Sequence, residues 1–300
     1  MTAINDQASE AYGAVPKFEN LTVIDPREPL QFETQGGPTS MRIVDLMTPI
    51  GKGQRGLIVA PPRTGKTILL QQIAGGITHN HHDLYMIVLL VDERPEEVTD
   101  MRRTVHGEVV ASSNDKDVAS HVRIARLVIE RAKRMVESGK EVLILLDSLT
   151  RLGRAFNAFV RGSWRTMSGG LDIRALTEPK AVFGAARNIE NGGSLTIIAS
   201  CLIDTGSRMD ELIFNEFKGT GNMDIMLDRD LANQRIWPAI NLQRSGTRKE
   251  ELLLTSQALE RAYKIRRTFD GKAPDREMEE LVAALEKHPD NLAFLEAGAP

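Results

Sequence analysis

Unbroken apolar runs recur along the middle of the chain, at GLIVA (56–60), MIVLLV (86–91), VLILLD (142–147) and LTIIAS (195–200). Runs this short, without polar alternation, fit strands covered on both faces, as in a parallel sheet. Between them the period changes. From about Asp117 to Ser138, Val118, Val122, Ala125, Ile129, Ala132 and Val136 fall at alternating steps of four and three. That spacing predicts a helix with one buried stripe, stopped by Gly139. Its other face carries Arg123, Arg126, Arg131 and Arg134, a solvated basic face. Further helices are expected from near Pro179, over 208–217, and through the tail from about Thr255, broken at Gly271 and Pro289. Residues 222–228 and 235–240 read as later strands, with Pro238 confining the second to an edge or a strand end. Strands alternating with helices predict an α/β fold with a mostly parallel central sheet flanked by helices. The first 40 residues, rich in Pro, Gly and acids, read as an arm or linker with at most short edge strands. The expected organisation is an arm over 1–40, a core over 41–255 and a helical extension over 256–300.

Composition acts mainly by exclusion. With 38 basic and 41 acidic side chains in 300 residues the net charge is −3, which excludes bulk basic attraction to nucleic acid but not a local basic field. Cys201 is the single cysteine and forms no intramolecular disulfide, so a cytoplasmic setting is expected. The N-terminus, MTAINDQASEAYG, lacks the basic start and apolar run of an export signal. The apolar runs fall far short of the roughly 20 residues that span a bilayer, so no membrane partner is expected.

The strongest chemical signal is Ala60-Pro-Pro-Arg-Thr-Gly-Lys-Thr67, placed directly after an apolar strand and before the helical run ILLQQIA. In that context backbone N–H groups converge on phosphates at a helix N-terminus, Lys66 neutralises their charge and the Thr67 hydroxyl ligates Mg²⁺. A strict phosphate loop has Gly where Ala60 stands. Asp147, at the end of VLILLD, sits at a strand's C-terminal edge, where it can organise Mg²⁺ or cap the next helix. Asp92 and Glu93 end MIVLLV in the same way. Hydrolysis of a nucleoside triphosphate needs a group that deprotonates water, and Glu93 is the candidate; capping of a helix beginning at Pro95 is the alternative. His79, His81 and His82 are read as a solvated loop, and Cys201 as a packed small hydrophobe.

Taken together, GKGQRGLIVAPPRTGKT (51–67), LLVDERPEEVTDM (89–101), GEVVASS (107–113), LILLDSLTRLGRAFN (143–157), FGAARNIENGGSLTIIAS (183–200), DTGSRMDELIFNEFKGTGNM (204–223) and SGTRKEELLL (245–254) closely resemble the ATPase domain of the transcription termination factor Rho family. The likeness runs in order over about residues 40–255. It implies a RecA-like phosphate-loop NTPase fold in a homohexameric ring, with ATP and Mg²⁺ between subunits and RNA through the central pore. Its members act as RNA-dependent ATPases and helicases in transcription termination. The family accepts Ala60. Carried over, Pro62, Arg63, Thr64, Gly65, Lys66 and Thr67 hold the nucleotide, Thr67 and Asp147 the metal, and Glu93 is the base. Arg248 matches an arginine finger reaching across the interface, Arg94 an arginine beside the catalytic glutamate, and Arg235 a weaker interfacial candidate. Trp237 replaces a phenylalanine that stacks on adenine.

The resemblance places a first RNA loop at 160–172, with Arg165, Gly169 and Gly170, and a second at 204–208, with Thr205, Gly206 and Arg208. Arginines stand at 165 and 208 where lysine is common, and Trp164 where small residues are usual. Only about 40 residues precede the core, too few for the family's oligonucleotide-binding barrel, so the primary RNA site is expected to be missing. The alternative reading follows: an ATP-binding ring component without autonomous RNA loading, which joins full-length Rho or meets RNA polymerase. A fragment and a naturally short paralogue are equally compatible with the sequence, which leaves RNA preference and ring state open.

Overall fold

The computed structural model describes residues 3–4, 7–8, 15–160, 170–172 and 174–297. Its centre is a nine-stranded sheet. In chain order the strands are β1 (Val23–Ile24), β2 (Arg55–Ala60), β3 (Tyr85–Glu93), β4 (Glu108–Ser113), β5 (Glu141–Asp147), β6 (Arg187–Ile189), β7 (Ser194–Leu202), β8 (Met223–Met226) and β9 (Gly246–Thr247). The main path runs β9-β8-β2-β7-β5-β3-β4. All its pairs are parallel except β9 on β8, while β6 folds back antiparallel on β7 and carries β1 at its free edge.

Eleven helices are described: α1 (Thr39–Met47), α2 (Lys66–Asn80), α3 (Pro95–Thr104), α4 (Val118–Glu137), α5 (Leu149–Phe159), α6 (Thr177–Gly184), α7 (Arg208–Lys218), α8 (Arg229–Asn233), α9 (Ser256–Phe269), α10 (Pro274–Leu285) and α11 (Asn291–Glu296). The unbroken apolar runs are explained by the two layers they serve. On one face Ile58, Val88, Leu90, Leu145 and Ile198 pack with α1, α2 and the C-terminal helices. On the other, Leu57, Val59, Leu89, Ile144, Leu146 and Ile197 pack against α4, α5 and α7. Successive side chains of a strand point to opposite faces, so a strand buried on both must be apolar throughout.

The long helix begins one residue inside its expected start. The Asp117 side chain caps it by accepting the Ser120 N–H, Val122, Ala125, Ile129, Ala132 and Val136 are buried, and Gly139 follows its end with φ +80°. Its arginine face is mostly paired: Arg126 with Glu178 at 2.6 Å, Arg131 with Glu108 at 2.5 Å and Arg134 with Glu137 at 3.0 Å. Residues 235–240 form no strand. Ile240 makes one isolated bridge to Leu227, because Pro238 lacks an N–H and the segment turns toward a cavity beside Gly65. From residue 15 on, the N-terminal segment packs closely: Phe18 and Phe32 are fully buried, and Asp45 of α1 accepts the Phe32 and Glu33 N–H groups. No helix of the described residues is long and apolar enough to cross a membrane.

Candidate nucleotide site

Six parallel strands direct their C-terminal ends to one edge of the sheet, which gathers Ala60, Glu93, Asp147 and Leu202. Ligands of open α/β sheets bind outside this edge. The loop after β2 turns through left-handed conformations at Arg63 (φ +67°) and Gly65 (φ +85°). Gly65 is required twice over, by that φ and because a Cβ there would lie 3.0 Å from the Trp237 ring. The buried Thr64 hydroxyl donates to Pro61 O at 2.7 Å and pins the turn. Helix α2 then begins at Lys66 with no side-chain cap, leaving its first N–H groups to face an anion.

Two carboxylates meet the Lys66 ammonium. Its Nζ contacts Asp147 Oδ1 and lies 3.5 Å from Glu93 Oε1. Asp147, 2% exposed, also accepts the Ser200 hydroxyl at 2.7 Å from the adjacent β7. Glu93 is 1% exposed and is aimed inward by an irregularity at the end of β3, where Asp92 takes φ +57° and the register to β4 shifts between Val91 and Glu93. Burial pushes the Glu93 carboxyl up to about 7, and repulsion from Asp147 adds to it, while Lys66 and Arg151 oppose. Arg151 of α5 approaches Glu93 Oε2 to 3.2 Å without the alignment of a hydrogen bond, and also donates to the Asp92 carbonyl. A carboxylate tuned to about neutrality beside a lysine and an aspartate suits proton abstraction from water.

Next to this polar cluster is a cavity of about 410 Å³ walled by Gly65, Ile68, Leu69, Trp237, Pro238 and Val282. Its apolar lining and exposed indole can take a planar base while the loop holds phosphates. Thr67, on the first turn of α2, and Asp147 are hard oxygen donors of the kind Mg²⁺ takes, so the residues present fit that ion.

Other expected residues lie elsewhere. Arg248 is exposed beyond β9, in a recess with Gln54 and Arg55 at the start of β2. The phosphate loop follows the opposite end of that strand, and six residues at about 3.3 Å each separate them by about 20 Å. Arg248 therefore does not complete the site of its own chain. Arg94 is exposed, and its one ion pair among the described residues is with Glu97 at 3.6 Å. Arg165 and Gly169 lie outside the described residues. Gly170 (φ +76°) is exposed; its carbonyl accepts from Asn157 Nδ2 at 3.0 Å, and Asn157 Oδ1 accepts the Asp172 N–H. Thr205 donates to the buried Asp210 at 2.6 Å, Gly206 turns with φ +75°, and Arg208 opens α7 exposed to solvent. Asp210 also receives a two-pronged contact from Arg154, and Met209 approaches both Asn157 and Gly170, so the flanks of the two loops are tied together through α5.

Sequence reading missed Arg151, Ser200, Asp210 and the part of α10 that walls the cavity. Arg151 carried a faint signal, as a cation in the first turn of the helix that follows Asp147; Ser200 had one as a polar residue in an apolar strand. Cys201 is buried, its thiol pushed up to about 12 by that burial, as a packed small side chain should be. His81 accepts the Gln31 N–H at 2.9 Å, and no cluster of three metal-ligating side chains occurs among the described residues.

Fold and site together define a phosphate-loop ATPase domain. Residues 40–247 match the ATP synthase alpha/beta family, nucleotide-binding domain. The chain is 54% identical over 301 residues to the transcription termination factor Rho of Cereibacter sphaeroides, covering 99% of this chain and 71% of that protein. It is 53% identical to the factors of Pseudomonas aeruginosa and Streptomyces lividans, spanning 68% and 42% of their lengths. The chain belongs to the Rho family, through its nucleotide-binding domain. A solved structure of a prototypical ATPase from the type III secretion system of pathogenic bacteria superposes with a TM-score of 0.75 at 21% identity, covering 95% of this chain and 87% of that one, and shares the fold.

Proposed function

We propose that this chain is the motor of a Rho-like, ATP-dependent RNA translocase or helicase acting in transcription termination, working as a homohexameric ring with RNA in the central pore. The observation that carries this reading is the division of the site. Lys66, Glu93 and Asp147 gather at one sheet edge, while Arg248, the first candidate finger, is at the other. A site so divided is completed by the Arg248 of a neighbouring subunit, whose guanidinium stabilises charge developing on the transferred phosphoryl group.

In this mechanism the α2 N-terminus and Lys66 bind and orient the triphosphate, and Trp237 covers the base. Thr67 and Asp147 would hold Mg²⁺, which would neutralise charge on the phosphates. Glu93 takes the proton of the attacking water, and Arg151 holds that carboxylate in place. Arg94 follows the base by one residue and joins the interface. Nucleotide state reaches RNA through α5, which begins beside Asp147 and holds both pore loops through Arg154–Asp210 and Asn157. Arg165 and Arg208 contact RNA phosphates there.

The experiment is ATP hydrolysis with and without single-stranded RNA, in wild type and in an equimolar mix of Lys66→Ala and Arg248→Ala subunits. RNA stimulation, with activity in the mix restored from two inactive parents, is expected. Equal rates with and without RNA would count against RNA coupling, and no recovery in the mix against the shared site. Nucleotide binding with RNA-independent behaviour and co-purification with full-length Rho would favour the ring-component alternative.

A further inference from the structure

On another face of α10 from the nucleotide cavity, α9 and α10 enclose a second hollow of about 310 Å³. Buried Ile265, Leu281 and Phe294 form its apolar wall, and Arg261, Lys264 and Lys287 bring positive charge. That volume is at the small end of ligand sites. Arg261 is 7% exposed, and its guanidinium stacks 4.7 Å above the Phe294 ring. The ring attracts the face of the cation but leaves its N–H edge without an acceptor. Among the described residues Arg261 has neither an ion pair nor a hydrogen bond, and its Nε is fully buried without a partner. Glu280, the one acid lining the hollow, is held by Lys272 at 2.6 Å. Lys264 faces Glu260 at 3.1 Å, whereas Lys287 pairs with no acid among the described residues.

A buried guanidinium N–H without an acceptor is costly to keep unless something satisfies it. We propose that this hollow binds a small amphiphilic carboxylate, its headgroup on the Arg261 fork and its apolar body against Ile265, Leu281 and Phe294. A planar guanidinium donates two parallel hydrogen bonds to a carboxylate, and the apolar wall beside it suits a hydrocarbon body.

The test titrates the full chain with decanoate, with decanol of the same tail, and with acetate, by calorimetry. Decanoate should bind saturably at one per chain, decanol at least about tenfold more weakly for want of the charged hydrogen bonds, and acetate not measurably. Arg261→Met keeps the stem and should reduce decanoate to the level of decanol. Ala284→Trp fills the hollow and should abolish both; Ala283→Trp at its mouth serves if that variant does not fold, with ATP binding as the check on each. Equal binding of decanoate and decanol, unchanged binding in the filled variant, or no saturable binding to wild type would overturn the assignment. The last result is expected if a carboxylate of a second copy occupies Arg261.

Discussion

Replacing Glu93 by glutamine should make the protein more stable and slow its turnover, and the gain in stability should depend on pH. The carboxyl is displaced from 4.5 to about 7 in the fold, chiefly by burial and then by Asp147. At about 1.4 kcal/mol per tenfold in the proton equilibrium, the ionised form costs the native state about 3 kcal/mol. The native state binds this proton more tightly than the unfolded chain, so stability falls as pH rises from 4.5 toward 7 and the cost is complete above 7. Glutamine keeps the shape and carries no charge to desolvate, while Lys66 retains Asp147 as its partner. At pH 8 the variant's thermal midpoint should therefore rise, by about 6 °C at most at roughly 2 °C per kcal/mol for a chain this size. At pH 5, where native Glu93 is largely protonated, the two midpoints should nearly coincide. Calorimetric unfolding at both pH values, without nucleotide, makes the comparison. ATP should still bind, with hydrolysis slowed about 10²- to 10⁴-fold, the usual worth of a general base. A variant less stable than wild type at pH 8, or offset equally at both pH values, would refute the claim that burial of this charge dominates.

Arg248→Ala should abolish steady-state turnover, read by phosphate release, while leaving the ATP dissociation constant within about threefold, because Arg248 stands about 20 Å from the phosphate loop of its own chain. Trp237→Ala should weaken nucleotide binding about 5- to 100-fold, the range for stacking of a base on an aromatic, as read by titration with a fluorescent ATP analogue. Asp210→Ala strands Arg154 and Thr205; since Arg154 is partly exposed and can rehydrate, the stability loss should stay near 1–3 kcal/mol by urea unfolding, but RNA stimulation of the ATPase should disappear. Cys201, buried with its thiol pushed up to about 12, should resist iodoacetamide at pH 8 in the native state and react fully in urea, as followed by mass spectrometry.

The layers and the identity of the chemical groups follow from local amino-acid order. An apolar run such as Val142–Leu146 can be satisfied only by burial on both faces. A helix with the spacing of Val122, Ala125, Ile129 and Val136 can hide only one stripe, and a strand–GKT–helix passage presents backbone N–H groups whatever surrounds it. These are local constraints, written in periods of two and three to four residues. Tertiary structure alone decided which strand ends lie side by side. The order β2-β7-β5-β3 brings Ser200 to Asp147, and Lys66 to Glu93 and Asp147, across separations of 27 to 81 residues. Likewise only packing gave Glu93 its displaced proton affinity, closed the cavity beside Gly65 and Trp237 with Val282 of α10, and put Arg248 at the far edge of the sheet. Desolvation and charge coupling depend on neighbours brought together by long-range folding, and residue spacing along a chain carries almost no record of them.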